Sequence, residues 1–333
     1  MIKTKDRIHL RAGLLFACLA FLPLHSHGSP VSLPTSTDAG LVAIPVEGEA
    51  LVFYQAAPLE NPKGGDAFKG SNFIHPLKTP SGFKVTHSQP ADHPHHFGLW
   101  WPWKFIEHEG RRIVTWELQQ GQGIVEARSN ERLPNGLTTR SVYINRTLPE
   151  GPKVALHETT QIRVSEIVST STGGRGYFLD LEIEHTPAGD SPIVIRTHRY
   201  SGLGFRGSAL WDKGNSTLLT SEGADRYAAN ASAARWIRVE GTNGDNGSAG
   251  VLIMGHPSNH AHPEKLRTWD TQHEGAIFVN FNPVMDEPWT FVPGQTYTRN
   301  YRLFIYDGTL TEEAVEEIWQ NYALLSALGA QPK

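Results

Sequence analysis

The stretch "YFLDLEIEHT" (177–186) alternates apolar with mostly acidic side chains. From Leu179 onward, the leucines and Ile183 share one side of an extended chain, and the acidic residues share the other. A period of two is typical of a strand that buries one face and exposes the other. The stretch therefore predicts a strand of an antiparallel sheet.

The same alternation recurs along the chain, with glycine- and proline-containing turns between the segments. Ten further segments show it: "ALVFYQA" (50–56), "RIVTWEL" (112–118), "GIVEARS" (123–129), "LTTRSVYIN" (137–145), "VALHETTQIRVS" (154–165), "PIVIRTHRY" (192–200), "ARWIRVEG" (234–241), "GVLIMGH" (250–256), "AIFVNFN" (276–282) and "TYTRNYRLFIYD" (296–307). So many strands without helices between them predict an all-β fold, namely a large antiparallel β-sandwich or supersandwich.

One helix is predicted, at the C-terminal end of the fold, over residues 310–328. Thr309 and Glu312 fit a capping box, in which each side chain bonds the backbone of the other. An apolar stripe at helical spacing would pack on a sheet face; it consists of Val315, Ile318, Trp319, Tyr322 and Leu325.

The N-terminal residues have the pattern of a secretory signal peptide, assigned to residues 1–28. Basic residues precede an apolar run at 12–24, and Gly28 offers a small residue for cleavage. Residues 29–42 are expected to form a flexible lead-in, and 43–328 a single β-supersandwich domain. The protein is therefore expected in the periplasm or secreted, with no membrane insertion of the mature chain, since no second apolar stretch reaches spanning length.

The amino-acid composition argues against several kinds of site and partner. Cys18 is the only cysteine, so a chain that has lost its signal peptide would have no disulfide, thiolate nucleophile or Cys-ligated metal. The 30 basic and 34 acidic residues give a formal charge of −4. This mildly acidic balance argues against nucleic acid as a partner, because phosphate binding needs a basic face.

The densest group of chemically useful residues is "ADHPHHFGLWWPWKF" (91–105). If it were extended, alternation would place His93 and His95 on one side and His96 on the other. These imidazoles could bind one divalent metal, with His93 and His95 as ligands, act as acid or base, or bond buried carbonyls. Trp100 and Trp101 would face opposite sides, so at least one is expected to be partly exposed and to contact a sugar ring.

A second group is "RTHRYSGLGFR" (196–206), which contains His198, Tyr200 and Arg206. Elimination from a uronic acid needs these three types of group: a base for the α-proton, a phenol for the leaving oxygen, and a guanidinium for the carboxylate. The alternative is a cation–aromatic ladder across strands on a solvated face.

A third group is "GHPSNHAHPEKLRTWD" (255–270), in which His256 and Asn259 lie in a proline-flanked loop. Loops that carry clustered histidines often carry function. Glu222 and His273 are further candidates for substrate contact.

Several of these motifs, in order and spacing, resemble the bacterial PmoA-like family of secreted proteins, over residues 50–308. The motifs that carry the resemblance are "FIHPLKTPSGFKVTHSQPADHPHHFGLWWPW" (73–103), "GLGFR" (202–206), "SEGADR" (221–226), "HPSN" (256–259) and "FVPGQTYTRNYRLFIYDG" (291–308). The family is named for a membrane-spanning methane oxygenase subunit, which this chain does not resemble. The resemblance implies a β-supersandwich and an association with carbohydrate-degrading enzymes.

These patterns favour an exported carbohydrate-active protein, a lyase or dehydratase acting on an oligosaccharide or acidic sugar. The catalytic candidates are His95, His96, His198, Tyr200, Arg206 and His256, with His96 or His198 as base, Tyr200 as acid and Arg206 as carboxylate anchor. The substrate-binding candidates are Trp100, Trp101, Glu222, Asn259 and His273. Two alternatives stay open: a non-catalytic sugar-binding module, and a metal-dependent hydrolase or oxygenase.

Overall fold

Strands begin almost at the start of the described part of the chain. The computed structural model describes residues 40–61, 64–170, 174–244 and 247–327, with side chains to residue 324. The predicted signal peptide and most of the predicted lead-in fall on residues 1–39, outside the described residues. The first strand starts at Leu41, so the last two lead-in residues belong to the sheet.

The described residues form 22 strands and one α-helix. The strands are β1 Leu41–Val46, β2 Glu49–Gln55, β3 Leu59–Asn61, β4 Gly65–Gly70, β5 Phe73–Leu77, β6 Leu99–Trp100, β7 Phe105–His108, β8 Arg111–Val114, β9 Gly123–Leu133, β10 Gly136–Asn145, β11 Lys153–Val164, β12 Val168–Ser169, β13 Arg175–Pro187, β14 Ile193–Ile195, β15 Leu203–Arg206, β16 Ser216–Thr220, β17 Trp236–Thr242, β18 Ser248–Gly255, β19 Lys265–Thr268, β20 Phe278–Asn282, β21 Trp289–Phe291 and β22 Tyr297–Asp307. The helix α1 spans Glu312–Ala327, and short 3-10 turns occupy Leu118–Gln120 and Gln272–Gly275.

Two large sheets organise the fold. A seven-stranded sheet has the order β1-β2-β5-β6-β15-β20-β19, and a nine-stranded sheet has the order β16-β17-β18-β22-β13-β11-β10-β9, with β12 beside β13. A four-stranded sheet, β21-β14-β7-β8, and the β3-β4 pair complete it. Every strand pairing given for these sheets is antiparallel. The predicted all-β sandwich with one C-terminal helix is confirmed.

The main core lies between the two large sheets, and alternation along the strands explains it. On β13, Leu179, Leu181 and Ile183 point into this core, as the opening alternation predicts. From the other sheet, Leu99 and Phe205 meet them. Burying each such side chain contributes about 1.5–3 kcal/mol, which makes this layer the principal source of stability.

The helix α1 covers the opposite face of the nine-stranded sheet. Val315 and Tyr322 pack there with Phe304, as the apolar stripe predicts. The cap differs from the prediction: the Ala314 amide donates to Oγ1 of Thr311 at 3.3 Å, so Thr311 caps the helix rather than Thr309. Among the described residues, no helix is long and apolar enough to cross a membrane.

A polar network is buried within the sandwich around Glu158. Its carboxylate accepts hydrogen bonds from Nε1 of Trp101 at 2.9 Å, from Nδ2 of Asn72 at 2.7 Å and from the Tyr143 hydroxyl at 3.0 Å. Its Oε2 also lies 3.0 Å from Nε2 of His185. Burial would raise the pKa of Glu158, but the bond to His185 and the donated bonds outweigh it and hold the pKa below its usual value. The network links the nine-stranded sheet to the residues that flank β5 and β6, although Nδ1 of His185 is left without a partner.

Candidate functional site

The face of the seven-stranded sheet turned away from the main core carries most of the predicted site residues. We call it the outer face. Strand register aligns Phe73, Trp100, Gly204, Asn280 and Arg267 in one row across β5, β6, β15, β20 and β19. Their sequence neighbours point into the core, so this row points outward.

Trp100 and Gly204 show why glycine stands in this row. A Cβ on Gly204 would lie 3.0 Å from the Trp100 indole, tighter than ordinary van der Waals contact. The indole therefore lies flat over the β15 backbone. This packing gives the outer face an aromatic floor.

Phe278, on β20, is the centre of that floor. Its ring centroid lies 5.0 Å from that of His96, 4.9 Å from Trp269, 5.8 Å from Tyr200 and 6.2 Å from Trp100. His96 and Tyr200 come from two separate sequence motifs. The structure brings those motifs together around one ring.

The histidine loop is a pair of tight turns and not a strand. The His93 amide donates to the Pro90 carbonyl at 3.1 Å, and the His96 amide donates to the His93 carbonyl at 3.0 Å. The expected alternation is therefore wrong, because turns do not separate neighbours onto opposite faces. All three imidazoles cluster: the His93 ring lies 5.6 Å from His95 and 4.8 Å from His96, and the latter two are 4.9 Å apart.

Burial keeps these imidazoles neutral. It lowers the pKa of His95 to about 4 and that of His96 well below the ordinary value. The Nδ1 atoms of both rings are buried without a hydrogen-bond partner. His96 is 1% exposed and lies beneath the surface, whereas His95 is only half-buried, which leaves its Nε2 as the accessible nitrogen.

At one edge of the outer face, Arg206 is paired with Asp92. Its Nη2 lies 3.0 and 3.2 Å from the two carboxylate oxygens, and its guanidinium lies 4.7 Å from the centre of the Trp269 ring. Partial burial would raise the pKa of Asp92, but the charge of Arg206 and the bond to His93 outweigh it and lower that pKa. Asp92 therefore already neutralises the arginine expected to anchor a substrate carboxylate.

His273 lies beside the same ion pair. Its Nδ1 is 3.6 Å from Oδ2 of Asp92, and its ring packs 4.4 Å from Trp269 and 4.5 Å from His93. Asp92, Arg206 and His273 line an open cleft of about 410 Å³. The cleft has room for water and a small ligand.

Elsewhere on the outer face, Arg267 holds the phenol of Tyr200. Its Nη2 donates to the Tyr200 hydroxyl at 3.2 Å, and its Nη1 donates to Oδ1 of Asn230 and to the Thr268 carbonyl, both at 2.8 Å. Its Nε is buried without a partner. No carboxylate of the described residues lies within ion-pair distance of it, although its charge acts on the Asp270 carboxyl from farther away and helps to lower the pKa of that group.

His198 borders the Tyr200 side of the face. Its Nδ1 accepts the Tyr200 amide at 3.1 Å, and its ring packs 5.0 Å from Phe105. Burial lowers the pKa of His198, and the Lys104–Glu117 ion pair acts electrostatically on it and also on His95. His95 of the first predicted group and His198 of the second therefore feel the same pair of charges.

The expectation of a partly exposed tryptophan is wrong. Trp100 and Trp101 face opposite sides as predicted, but they are 2% and 0% exposed. Trp101 enters the Glu158 network in the main core, and Trp100 is covered by Trp116, whose ring lies 5.2 Å away. Neither indole offers a face to a sugar.

The third predicted group lies elsewhere. The His256 ring packs 5.3 Å from Tyr322 of α1, and its Nδ1 bonds Ser258 Oγ at 2.6 Å. Nδ2 of Asn259 donates to Oε1 of Glu264 and to the Asn300 carbonyl, both at 2.9 Å. These contacts support the chain locally, and they place the loop against the helix and not on the outer face.

Glu222 also lies apart from the cluster. It is exposed, and its carboxylate is 3.6 Å from Nε of Arg235. A weak surface ion pair of this kind contributes about 0–1 kcal/mol.

Sequence reasoning missed four residues of the site: Trp116, Arg267, Trp269 and Phe278. Arg267 and Trp269 are two residues apart and so share a face of β19 and its extension, but no strand was predicted there, so their alternation was missed. Phe278 could be found only from the strand order, which places β20 beside β15.

The chain is similar to several solved structures. It matches the GH36 alpha-galactosidase AgaA from Geobacillus stearothermophilus at 11% identity and a TM-score of 0.35, covering 77% of this chain and 39% of that enzyme. The alpha-galactosidase from Lactobacillus brevis matches at 11% identity and a TM-score of 0.30, covering 77% of this chain and 38% of that one. The chain thus spans well under half the length of both enzymes. None of the curated proteins matches it. Residues 41–320, most of the chain, match the Family of unknown function (DUF6807), and the protein belongs to that family.

Proposed function

We propose that this protein is an exported carbohydrate-active enzyme, a lyase or dehydratase acting on an oligosaccharide or acidic sugar. The observation that carries the proposal is the Tyr200–Arg267 pair. A phenol is held at 3.2 Å by a guanidinium that has no carboxylate partner among the described residues. The pair lies on the same aromatic floor as the histidine loop.

Elimination from a uronate requires three groups in one place. A base removes the proton on the carbon next to the carboxylate, and the electrons of that C–H bond form the new double bond. The bond from the neighbouring carbon to the leaving oxygen breaks, and an acid protonates that oxygen. A guanidinium on the carboxylate stabilises the negative charge that develops there.

His95 is the best base among the candidates. His96 is too deeply buried to reach a substrate. Nδ1 of His198 is engaged by the Tyr200 backbone, 3.1 Å from its amide and 3.3 Å from its carbonyl, so this ring is tied to its own loop. His95 is neutral and only half-buried, so its Nε2 can accept a proton while Nδ1 carries the other one.

In this proposal Arg267, and not Arg206, is the carboxylate anchor. The charge of Arg206 is already paired, because its Nη2 contacts both oxygens of Asp92, although its Nη1 is buried without a partner. Arg267 hydrogen-bonds only neutral oxygens and is 8% exposed, so a substrate carboxylate would be the first anion to hydrogen-bond it. A partly desolvated guanidinium binds a carboxylate through strong charge-assisted bonds.

The test is incubation of the mature protein, without a histidine tag, with uronate-containing oligosaccharides. We expect ultraviolet absorbance from a conjugated, unsaturated uronate, together with the matching product masses. Tyr200→Phe should lower the rate by roughly 10²–10⁴-fold, since it removes the acid. Arg267→Lys should lower kcat as well as raise KM, because it weakens a carboxylate contact that also stabilises the charge developing during the reaction.

Arg196→Lys is the matched control for the arginine variant. Arg196 is exposed, lies at 3.6 Å from Glu107, and has no contact with the aromatic floor. Its kinetics should equal those of the unchanged protein. If a panel of uronates gives neither absorbance nor product, the elimination proposal fails. Saturable sugar binding without turnover would instead favour a non-catalytic binding module.

A further inference from the structure

We propose that Asp92, His93 and His273 bind one zinc or divalent transition-metal ion in the cleft beside Arg206. The three residues each offer one ligand atom, and these atoms all lie within 4.8 Å of one another. The proposal is independent of the elimination chemistry, because it concerns metal binding by three residues that have no role in that chemistry.

The spacing of the ligand atoms suits a single ion. Oδ2 of Asp92 lies 3.0 Å from Nδ1 of His93 and 3.6 Å from Nδ1 of His273. Two ligands at about 2.1 Å from a tetrahedral ion are about 3.4 Å apart, so these distances bracket the required one. The two imidazole rings lie with centroids 4.5 Å apart, and the Nδ1 atoms of both lie within 3.6 Å of the same carboxylate oxygen.

The cleft gives an ion access and room for further ligands. Asp92 and His273 line the open cleft of about 410 Å³, and His273 is exposed. Three protein ligands leave at least one position for water or a substrate oxygen. The site thus resembles a metal centre that keeps a free coordination position, and not a structural centre in which protein ligands fill every position.

Residues around the three proposed ligands hold the ligand side chains in place. Arg206 contacts both oxygens of Asp92, and Trp269 packs against the rings of His93 and His273 at 4.8 and 4.4 Å. Carboxylates that bind metals are commonly held by such an outer hydrogen bond. The Arg206 charge opposes a cation, but the carboxylate would lie closer to the ion, so attraction exceeds repulsion.

The donor set selects the class of metal. Two imidazoles and one carboxylate are typical of zinc and of iron(II) or manganese(II) centres with open positions. Calcium and magnesium prefer all-oxygen ligands and are disfavoured here.

The test uses the full mature chain without a histidine tag, stripped of metal by a chelator and then titrated with Zn²⁺. We expect one equivalent by calorimetry and by elemental mass spectrometry after desalting. Asp92→Asn and His273→Asn should each weaken binding at least tenfold. His157→Asn, a change at an exposed histidine on β11, is the matched control and should bind zinc as the unchanged protein does.

Asp92→Asn leaves Arg206 without its carboxylate partner and can lower stability. If Asp92→Asn fails to fold, the zinc titration of His273→Asn decides the test. Absence of stoichiometric binding overturns the proposal. Equal binding by His273→Asn and the unchanged protein also overturns it. Since the measured quantity is zinc and not turnover, failure of the elimination assay leaves this result intact, and failure of zinc binding leaves the elimination proposal intact.

Discussion

Glu264 gives the sharpest quantitative prediction, because its carboxyl is fully buried and yet ionisable near neutral pH. The carboxylate accepts from the Tyr301 hydroxyl at 2.9 and 3.0 Å and from Nδ2 of Asn259 at 2.9 Å. Burial raises the pKa of Glu264 from 4.5 to about 7, although the charge of Arg299 and these bonds oppose the rise. Folding therefore favours the protonated form of this group.

The sign of the effect follows from proton binding. Between pH 4.5 and about 7, the folded chain holds a proton on Glu264 that the unfolded chain has lost. The free energy of unfolding contributed by this group is therefore greatest at acid pH and falls as pH rises through about 7. At about 1.36 kcal/mol per pH unit, the whole change amounts to about 3 kcal/mol.

Glu264→Gln is the perturbation, since the amide keeps the volume and cannot titrate. Urea unfolding of both proteins, followed by tryptophan fluorescence from pH 4 to 8, gives the difference in unfolding free energy at each pH. Subtracting one curve from the other removes the buried histidines, whose contributions are common to both. The unchanged protein should lose about 3 kcal/mol relative to the variant as pH rises. A difference that stays constant with pH would refute the reasoning, and so would one that grows in the opposite direction.

Three further substitutions test the packing that positions the site. Phe278→Ala should cost about 3–5 kcal/mol of unfolding free energy, because it removes the ring on which the outer-face aromatics pack; a cost below about 1 kcal/mol would contradict that central position. Gly204→Ala should cost about 1–3 kcal/mol and alter tryptophan fluorescence, since the added methyl meets the indole of Trp100; unchanged fluorescence and stability would show that the indole does not lie over the strand. Trp101→Phe should cost about 1–3 kcal/mol in urea unfolding by leaving Glu158 short of a donor, and a neutral result would mean that the network does not depend on this bond.

The fold was largely predictable from the sequence because alternation reports which face of a strand is buried. The segment 177–186 became the middle of β13, with its apolar residues in the main core. The terminal helix was likewise predictable from its apolar stripe, but it is capped by Thr311 and not by Thr309. Glu312 stands three residues after Thr309, as a capping box requires, so the sequence pattern favoured the wrong threonine. Helix ends depend on local geometry that composition does not determine.

Several residues of the candidate site were predictable from the sequence, but which of them lie next to one another was not. The histidine loop could have been recognised as turns, because Pro90 and Pro94 cannot donate to a sheet. The pairing of His96 with Tyr200 around Phe278 depends on β6, β15 and β20 being neighbours, an order that is not sequential in the chain. Long-range register of this kind leaves no local trace in one sequence.

The two histidine-rich loops show why residue density alone does not identify a site. His256 is covered by α1 and bonds its own loop through Ser258, although its Nε2 is buried without a partner. His95 likewise has an unpartnered Nδ1, but its ring lies 4.9 Å from that of His96, beside the aromatic floor. Both arginines also have one buried nitrogen without a partner, Nη1 in Arg206 and Nε in Arg267. Because unsatisfied nitrogens occur in both loops and in both arginines, the position of a residue on the outer face, and not an unpaired atom alone, distinguishes the candidate site.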